Sequence, residues 1–224
     1  MCWLLKRSLI KSLETNMKYY GAPDPAPNPR RVRLVIAEKG IDLPELNIDL
    51  RKREHKSAEH LQRNTLGQVP VLELDDGTMI TESVSICRYL DAIYPEPPLF
   101  GTNPVESAVI DMWTRRAELR VMIPVSNFWR HAHPLTASLI DQNKAFGESN
   151  RGVLADTMKW LDGELAAGAG YLAGPNFTMA DITLLTIVDF AGFIGLVPLE
   201  NVPAVQRWHE LVSARPSVRG GARS

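Results

Sequence analysis

The stretch from Leu66 to Leu90, LGQVPVLELDDGTMITESVSICRYL, constrains the fold more than any other part of the chain. Val69, Val71, Leu72 and Leu74 supply a short apolar strand, Asp76-Gly77 a turn that needs positive φ, and Thr78-Met79-Ile80 an antiparallel return, which together predict a β-hairpin. Thr81-Glu82-Ser83 then opens a helix, because Val84, Ile86, Cys87, Leu90 and Ile93 recur at helical spacing against that sheet. Pro70 cannot donate to a ladder, so it belongs at an edge, a bulge or a cis bond, and something else is expected to pair with Val69.

Upstream, Lys18-Tyr19-Tyr20-Gly21 reads as a strand, and Ala22 to Pro27 as a loop, since three prolines in six residues exclude regular structure. Asn28-Pro29 then starts a helix, with Asn at the cap and Pro at the first helical position. Val32, Leu34, Val35 and Ile36 form its apolar face and Gly40 ends it. Leu46 to Leu50 returns as a strand, giving the β-α-β unit of a thioredoxin-like α/β domain that the hairpin and its helix complete. Between them, Arg51 to Lys56 is a charged loop.

Clustered proline from Tyr94 to Gly101 stops the helix and stiffens a linker. Beyond it the pattern is helical throughout: Val109, Met112, Trp113, Leu119 and Ile123 on one long helix or a pair, and Met158, Leu161 and Leu165 on another. Thr178-Met179-Ala180-Asp181 is a capping box with Asp in place of Glu, opening a helix apolar on all sides and so central to its domain. Val205, Trp208, Leu211 and Val212 mark a last amphipathic helix, ended near Arg215-Pro216. The expected organisation is a thioredoxin-like domain over residues 17–94, a linker over 95–101 and an all-α domain over 102–224. Residues 1–16, whose short apolar start is broken by Lys6 and Arg7, are expected to be an extension ahead of the first domain and not a secretory signal.

With 224 residues, 45% of them hydrophobic, the chain can bury a substantial core. Its net charge of −1 supplies no global field for nucleic acid or a membrane surface, and no apolar run approaches a bilayer span. Two cysteines without CxxC spacing point to neither a metal site nor a disulfide framework, and fit a reducing, cytoplasmic compartment.

Gln68-Val69-Pro70-Val71 followed by Thr81-Glu82-Ser83 resembles the glutathione-binding core of the glutathione transferase family, and the likeness extends over about residues 17–216. It implies the two-domain glutathione transferase fold, with a cis Val69-Pro70 bond presenting the Val69 backbone to the cysteinyl part of glutathione like an added strand. It further implies that Glu82 and Ser83 hold the γ-glutamyl end, where a helix N-terminus and a hydroxyl suit an α-carboxylate and an anion suits the ammonium. His55, and after it Lys56, are the implied partners of the glycyl carboxylate.

The thiol of glutathione must be ionised to attack an electrophile. Lowering a thiol pKa of about 8.5 by two units costs about 2.7 kcal/mol at about 1.36 kcal/mol per unit, and a hydrogen bond to a charged group contributes roughly 1.5–3 kcal/mol. One donor at a helix N-terminus therefore suffices. Family members supply a Tyr at the end of the first strand, or a Ser or Cys just before the first helix. This chain departs from that pattern, because Ala26 stands at the Ser-like position. Asn28 is the leading candidate, Tyr20 the second, and His131 or His133, near the end of a long helix, can orient a water that takes the proton.

The implied function is conjugation of the glutathione co-substrate to hydrophobic electrophiles by a homodimer, with no metal. The alternatives are a glutathione-dependent peroxidase, or a non-catalytic glutathione-binding protein on the same fold. Arg116, Arg120, Phe128 and Phe193 are the expected lining of the electrophile pocket.

Overall fold

The computed structural model describes residues 16–220, so the expectation for the first 15 residues lies outside the described residues. Strand β1 (Lys18–Gly21), helix α1 (Pro27–Lys39) and strand β2 (Glu45–Asn47) form the β-α-β unit, and β1 pairs with β2 in parallel. A 3₁₀ turn (Glu54–Lys56) and helix α2 (Ala58–Arg63) lead to strands β3 (Val71–Glu73) and β4 (Met79–Thr81), followed by helix α3 (Ser83–Ile93). The sheet order is β2-β1-β3-β4, with β3 antiparallel to both its neighbours.

The alternation of a strand divides the two faces of this sheet. Tyr19 is fully buried toward α1, its hydroxyl donating to the Pro29 carbonyl at 2.8 Å, while Tyr20 faces α2 and carries the Arg63 guanidinium 4.3 Å above its ring. Gly77 turns the hairpin at φ 83°, as the Asp-Gly pair requires. Helix α3 buries Ile86, Cys87 and Leu90, but Ile93, expected on the same face, is exposed at the helix end.

Three boundaries differ from expectation. Helix α1 begins at Pro27 with Ala26 as its cap residue, because Pro27 already has the φ of a first helical residue; Asn28 therefore lies inside the first turn and is not the cap. The strand expected over Leu46 to Leu50 ends at Asn47, since the Asp49 carboxylate accepts from the Arg51 and Lys52 N–H groups and turns the chain. Helix α2 was not foreseen; Ser57 caps it by accepting from the His60 N–H.

The helical domain holds α4 (Pro104–Arg116), α5 (Ile123–His131), α6 (Lys144–Ala167), α7 (Met179–Phe193), α8 (Pro203–Ser213) and α9 (Pro216–Gly220). A π-helical segment, Ala117–Met122, joins α4 to α5 without a break. Pro124 explains it: its ring cannot donate and crowds the carbonyl one turn earlier, and a widened turn relieves both problems. Along this run Ile110, Thr114, Ala117, Val121, Val125 and Phe128 face inward. The expected face was wrong by about one position, because Met112, Leu119 and Ile123 are exposed. Helix α7 is buried on nearly every side, and its capping box forms as expected. The Asp181 carboxylate also accepts from the Leu172 N–H and from the Trp208 indole of α8, tying both to the helix start. Helix α1 packs on α3 within its own domain and on α7 across the domain boundary.

Candidate functional site

The Val69-Pro70 bond is cis. Val69 lies ahead of β3, and among the described residues its backbone N–H and C=O have no backbone partner. What holds it there is Gln68, whose carbonyl accepts from His60 Nε2–H at 2.9 Å and Asn64 Nδ2 at 3.0 Å. His60 and Asn64 are both buried, and neither is a residue that the sequence singled out. Their signal was the new helix itself: Ser57 as cap places position 60 on its inner face.

The 3₁₀ turn closes on the same segment. Lys56 Nζ donates to the Leu66 carbonyl at 3.0 Å, and Gly67 sits at φ 58°, where a Cβ would come within 2.8 Å of the His55 carbonyl oxygen. Only glycine allows that approach. The turn that carries His55 and Lys56 thus lies against the chain just ahead of Gln68, Val69 and Pro70. His55 is half-buried, with Nδ1 enclosed and without a partner; burial, and then the nearby Lys56 charge, hold its pKa below the ordinary value, so it stands neutral near pH 7 and offers one N–H.

On the next element, Glu82 is exposed and held at φ 67°, a left-handed backbone that a non-glycine residue rarely adopts. The first bond of α3 runs from the Ile86 N–H to the Glu82 carbonyl, which leaves the N–H groups of Ser83, Val84 and Ser85 at a free helix N-terminus. Ser83 is buried, and its hydroxyl oxygen accepts from Arg31 Nη1 at 3.2 Å.

The start of α1 has few donors. Pro27 and Pro29 have no N–H, and the Arg30 N–H reaches the Ala26 carbonyl at 3.3 Å. Asn28 carries the remaining backbone donor of that turn, and among the described residues its side-chain amide is also without a partner. The rival candidates are engaged elsewhere. Tyr20 donates its hydroxyl to Glu73 at 2.8 Å, on the sheet face away from α1, and burial followed by that bond raises its pKa. The Nδ1 atoms of His131 and His133 accept the N–H groups of Asn143 and Leu135, both within the helical domain. Burial keeps His133 neutral by lowering its pKa.

The four residues expected around an electrophile do not converge. Phe128 is buried under the Arg151 guanidinium, Arg116 lies over Trp113 and Trp160, and Arg120 is exposed on the π-helical segment. Phe193 alone of the four lines an open cleft of about 780 Å³, with Val188, Val197, Leu199, Asp189 and His209. That cleft adjoins α1, because Asp189 binds Arg30 at 2.5 Å. Cys87 is fully buried and burial pushes its thiol far above the ordinary value, so it offers no nucleophile. Among the described residues no group of three His, Cys, Asp or Glu side chains gathers as around a metal ion, and no helix is long and apolar enough to cross a membrane.

Chemically, the arrangement is an open backbone edge at Val69 flanked by two anion-seeking corners: the free α3 N-terminus and the His55-Lys56 turn. The family model described as glutathione S-transferase, N-terminal domain, matches residues 15–92, and the one described as glutathione S-transferase, C-terminal domain, matches residues 122–216. Glutathione S-transferase 2 of Saccharomyces cerevisiae is 38% identical over 213 residues, covering 93% of this chain and 91% of the relative. The crystal structure of Gtt2 from Saccharomyces cerevisiae superposes with a TM-score of 0.83 at 39% identity, over 91% of this chain and 99% of that one. A glutathione S-transferase-I solved with lactoylglutathione bound superposes with a TM-score of 0.77 at 27% identity, over 92% of this chain and 98% of that one.

Proposed function

We infer the use of the site from one premise: the chain belongs to the glutathione S-transferase family, and it is a glutathione transferase. Glutathione lies extended along Val69, exchanging backbone hydrogen bonds with its free N–H and C=O. Its γ-glutamyl carboxylate meets the α3 N-terminus and the Ser83 hydroxyl, its ammonium meets Glu82, and its glycyl carboxylate meets His55 and Lys56. The unpaired Val69 backbone between two anion-seeking corners is the observation that carries this reading.

The sulfur then falls at the start of α1, where Asn28 offers its backbone N–H and its side-chain amide to the thiolate. Two hydrogen bonds to a charged sulfur, at roughly 1.5–3 kcal/mol each, cover the roughly 2.7 kcal/mol that a two-unit drop in thiol pKa requires. The thiol proton is released to solvent and the ionised sulfur forms a C–S bond to an electrophilic carbon as the displaced group leaves, chloride in the case of a chloronitroaromatic; Phe193 and the apolar cleft linked to α1 through Asp189 and Arg30 give the hydrophobic part a surface.

The protein works as a homodimer in the cytoplasm. Met79 and Ile93 on the first domain and Met112 and Leu119 on the second are exposed apolar side chains that an interface between two copies would cover. The central test is titration of the thiolate absorbance of bound glutathione alongside conjugation of a chloronitroaromatic electrophile. A bound-thiol pKa well below about 8.5 with a matching rise in rate is expected. Tight glutathione binding with an unshifted thiol and no thioether product would instead favour the non-catalytic reading.

A further inference from the structure

Arg31 is buried to 2% exposure, where an unpaired guanidinium is costly. Its partners come from three elements outside α1. Nη1 donates to Ser83 of α3 at 3.2 Å and to Glu118 at 2.7 Å, and Nε donates to Thr186 of α7 at 3.3 Å. Glu118 stands on the π-helical segment that Pro124 imposes, so an irregular turn of the helical domain supplies the counter-charge. Nη2 is enclosed and without a partner. A charge held this way costs stability relative to a well-packed apolar side chain, which asks for a reason beyond packing.

A guanidinium has donors and no acceptor, so Ser83 Oγ can only accept from it. The single hydrogen of that hydroxyl is thereby left for another acceptor, and Ser83 is the first residue of α3, at the helix N-terminus where the family reading puts the γ-glutamyl carboxylate. We propose that Arg31 is a positioning residue for glutathione: it fixes the Ser83 hydroxyl as a donor to that carboxylate and, through Glu118 and Thr186, makes the helical domain part of the γ-glutamyl site. Arg31 itself is out of reach of the ligand, since its guanidinium is enclosed, and acts through Ser83. This inference rests on the reading that Ser83 meets the γ-glutamyl carboxylate.

The test compares glutathione with its analogue lacking that carboxylate, γ-aminobutyryl-cysteinyl-glycine, by calorimetric titration. The wild-type protein should prefer glutathione about tenfold or more, the value of a hydrogen bond to a charged group. In Arg31→Met that preference should fall several-fold, the part carried by the α3 N-terminal N–H groups remaining, while binding of the analogue stays near wild type. Arg31→Lys, whose one ammonium cannot span Ser83, Glu118 and Thr186, should lose part of it. A folded Arg31→Met that keeps the full preference overturns the proposal and leaves Arg31 a structural ion-pair partner. If Arg31→Met does not fold, Thr186→Val and Arg31→Lys decide: a reduced preference in them supports the role, and the full preference in both overturns it. A wild-type protein that binds both peptides equally overturns the γ-glutamyl assignment itself, and the role of Arg31 with it.

Discussion

The His209 imidazole donates to Asp189 at 2.6 Å, and the other oxygen of the same carboxylate receives Arg30 at 2.5 Å, so α8 and the first turn of α1 are joined through α7. Burial alone would raise the Asp189 pKa, but the bonds from His209 and Arg30 outweigh it and hold the carboxyl below its ordinary value. A carboxyl depressed on folding adds stability that is fully present above its unfolded pKa of about 3.9 and is lost as pH falls through its folded value. Asp189→Asn should therefore lower Tm at pH 7 and flatten the fall of Tm below about pH 4. Thermal unfolding across pH 2–7 checks both, and an unchanged acid slope would refute the assignment.

Glu82 sets stability and binding against each other. Its φ of 67° stores strain of about 1–3 kcal/mol that glycine would release, while its carboxylate is the proposed partner of the ammonium. Glu82→Gly should raise Tm and weaken glutathione about tenfold or more, and Glu82→Gln should weaken binding with Tm nearly unchanged. A variant of either kind that binds glutathione like the wild type would remove Glu82 from the site.

His60 and Asn64 hold the Gln68 carbonyl and through it the approach to Val69. Removing one bond leaves a buried carbonyl under-satisfied, at about 1–3 kcal/mol. His60→Ala and Asn64→Ala should each lower Tm and weaken glutathione several-fold, although neither side chain is expected to touch the ligand. Affinity that survives a clear loss of stability would separate the support from the site.

How far the site was legible follows from where its information lies. Gln68, Val69, Pro70, Glu82 and Ser83 lie in two short runs, so strand and helix periodicity predicts the hairpin and helix that carry them, while their binding roles come from the family resemblance of those runs. Arg31, Glu118 and Thr186 belong to three distant segments that meet only through tertiary packing. Nothing in their local sequence reports the contact. On the α4–α5 run the inward positions of Leu119 and Ile123 were misplaced because a π turn over Ala117–Met122 shifts the helical phase, whereas Met112 lies ahead of that turn, beside the inward-facing Ile110 and Thr114. The cap was placed at Asn28 instead of Ala26 because Pro27 and Pro29 are both acceptable first residues, and the one met first began the helix.

Assembly has a direct check. Light scattering at micromolar concentration should report twice the chain mass, and Leu119→Glu, which puts a charge on an exposed apolar position of the proposed interface, should weaken the dimer. A wild-type monomer would remove the dimer from the proposal.

The thiolate assignment rests on the donors at the start of α1. Because Ala26 and not Asn28 is the cap, Asn28→Ala removes no cap bond and should change Tm by little, which frees the experiment from a stability artefact. Its effect should appear as a rise in the pKa of bound glutathione, read from thiolate absorbance, with glutathione affinity only modestly weakened. The backbone N–H of residue 28 survives the substitution, so the rise should be partial, about one unit for the roughly 1.5 kcal/mol at the lower end of a charged hydrogen bond. Tyr20→Phe should leave that pKa where it was, since the hydroxyl is committed to Glu73. His131→Ala and His133→Ala should also leave it unchanged, their Nδ1 atoms being caps within the helical domain. An unshifted pKa in Asn28→Ala with a raised one in either histidine variant would move the proton-accepting role to the helical domain.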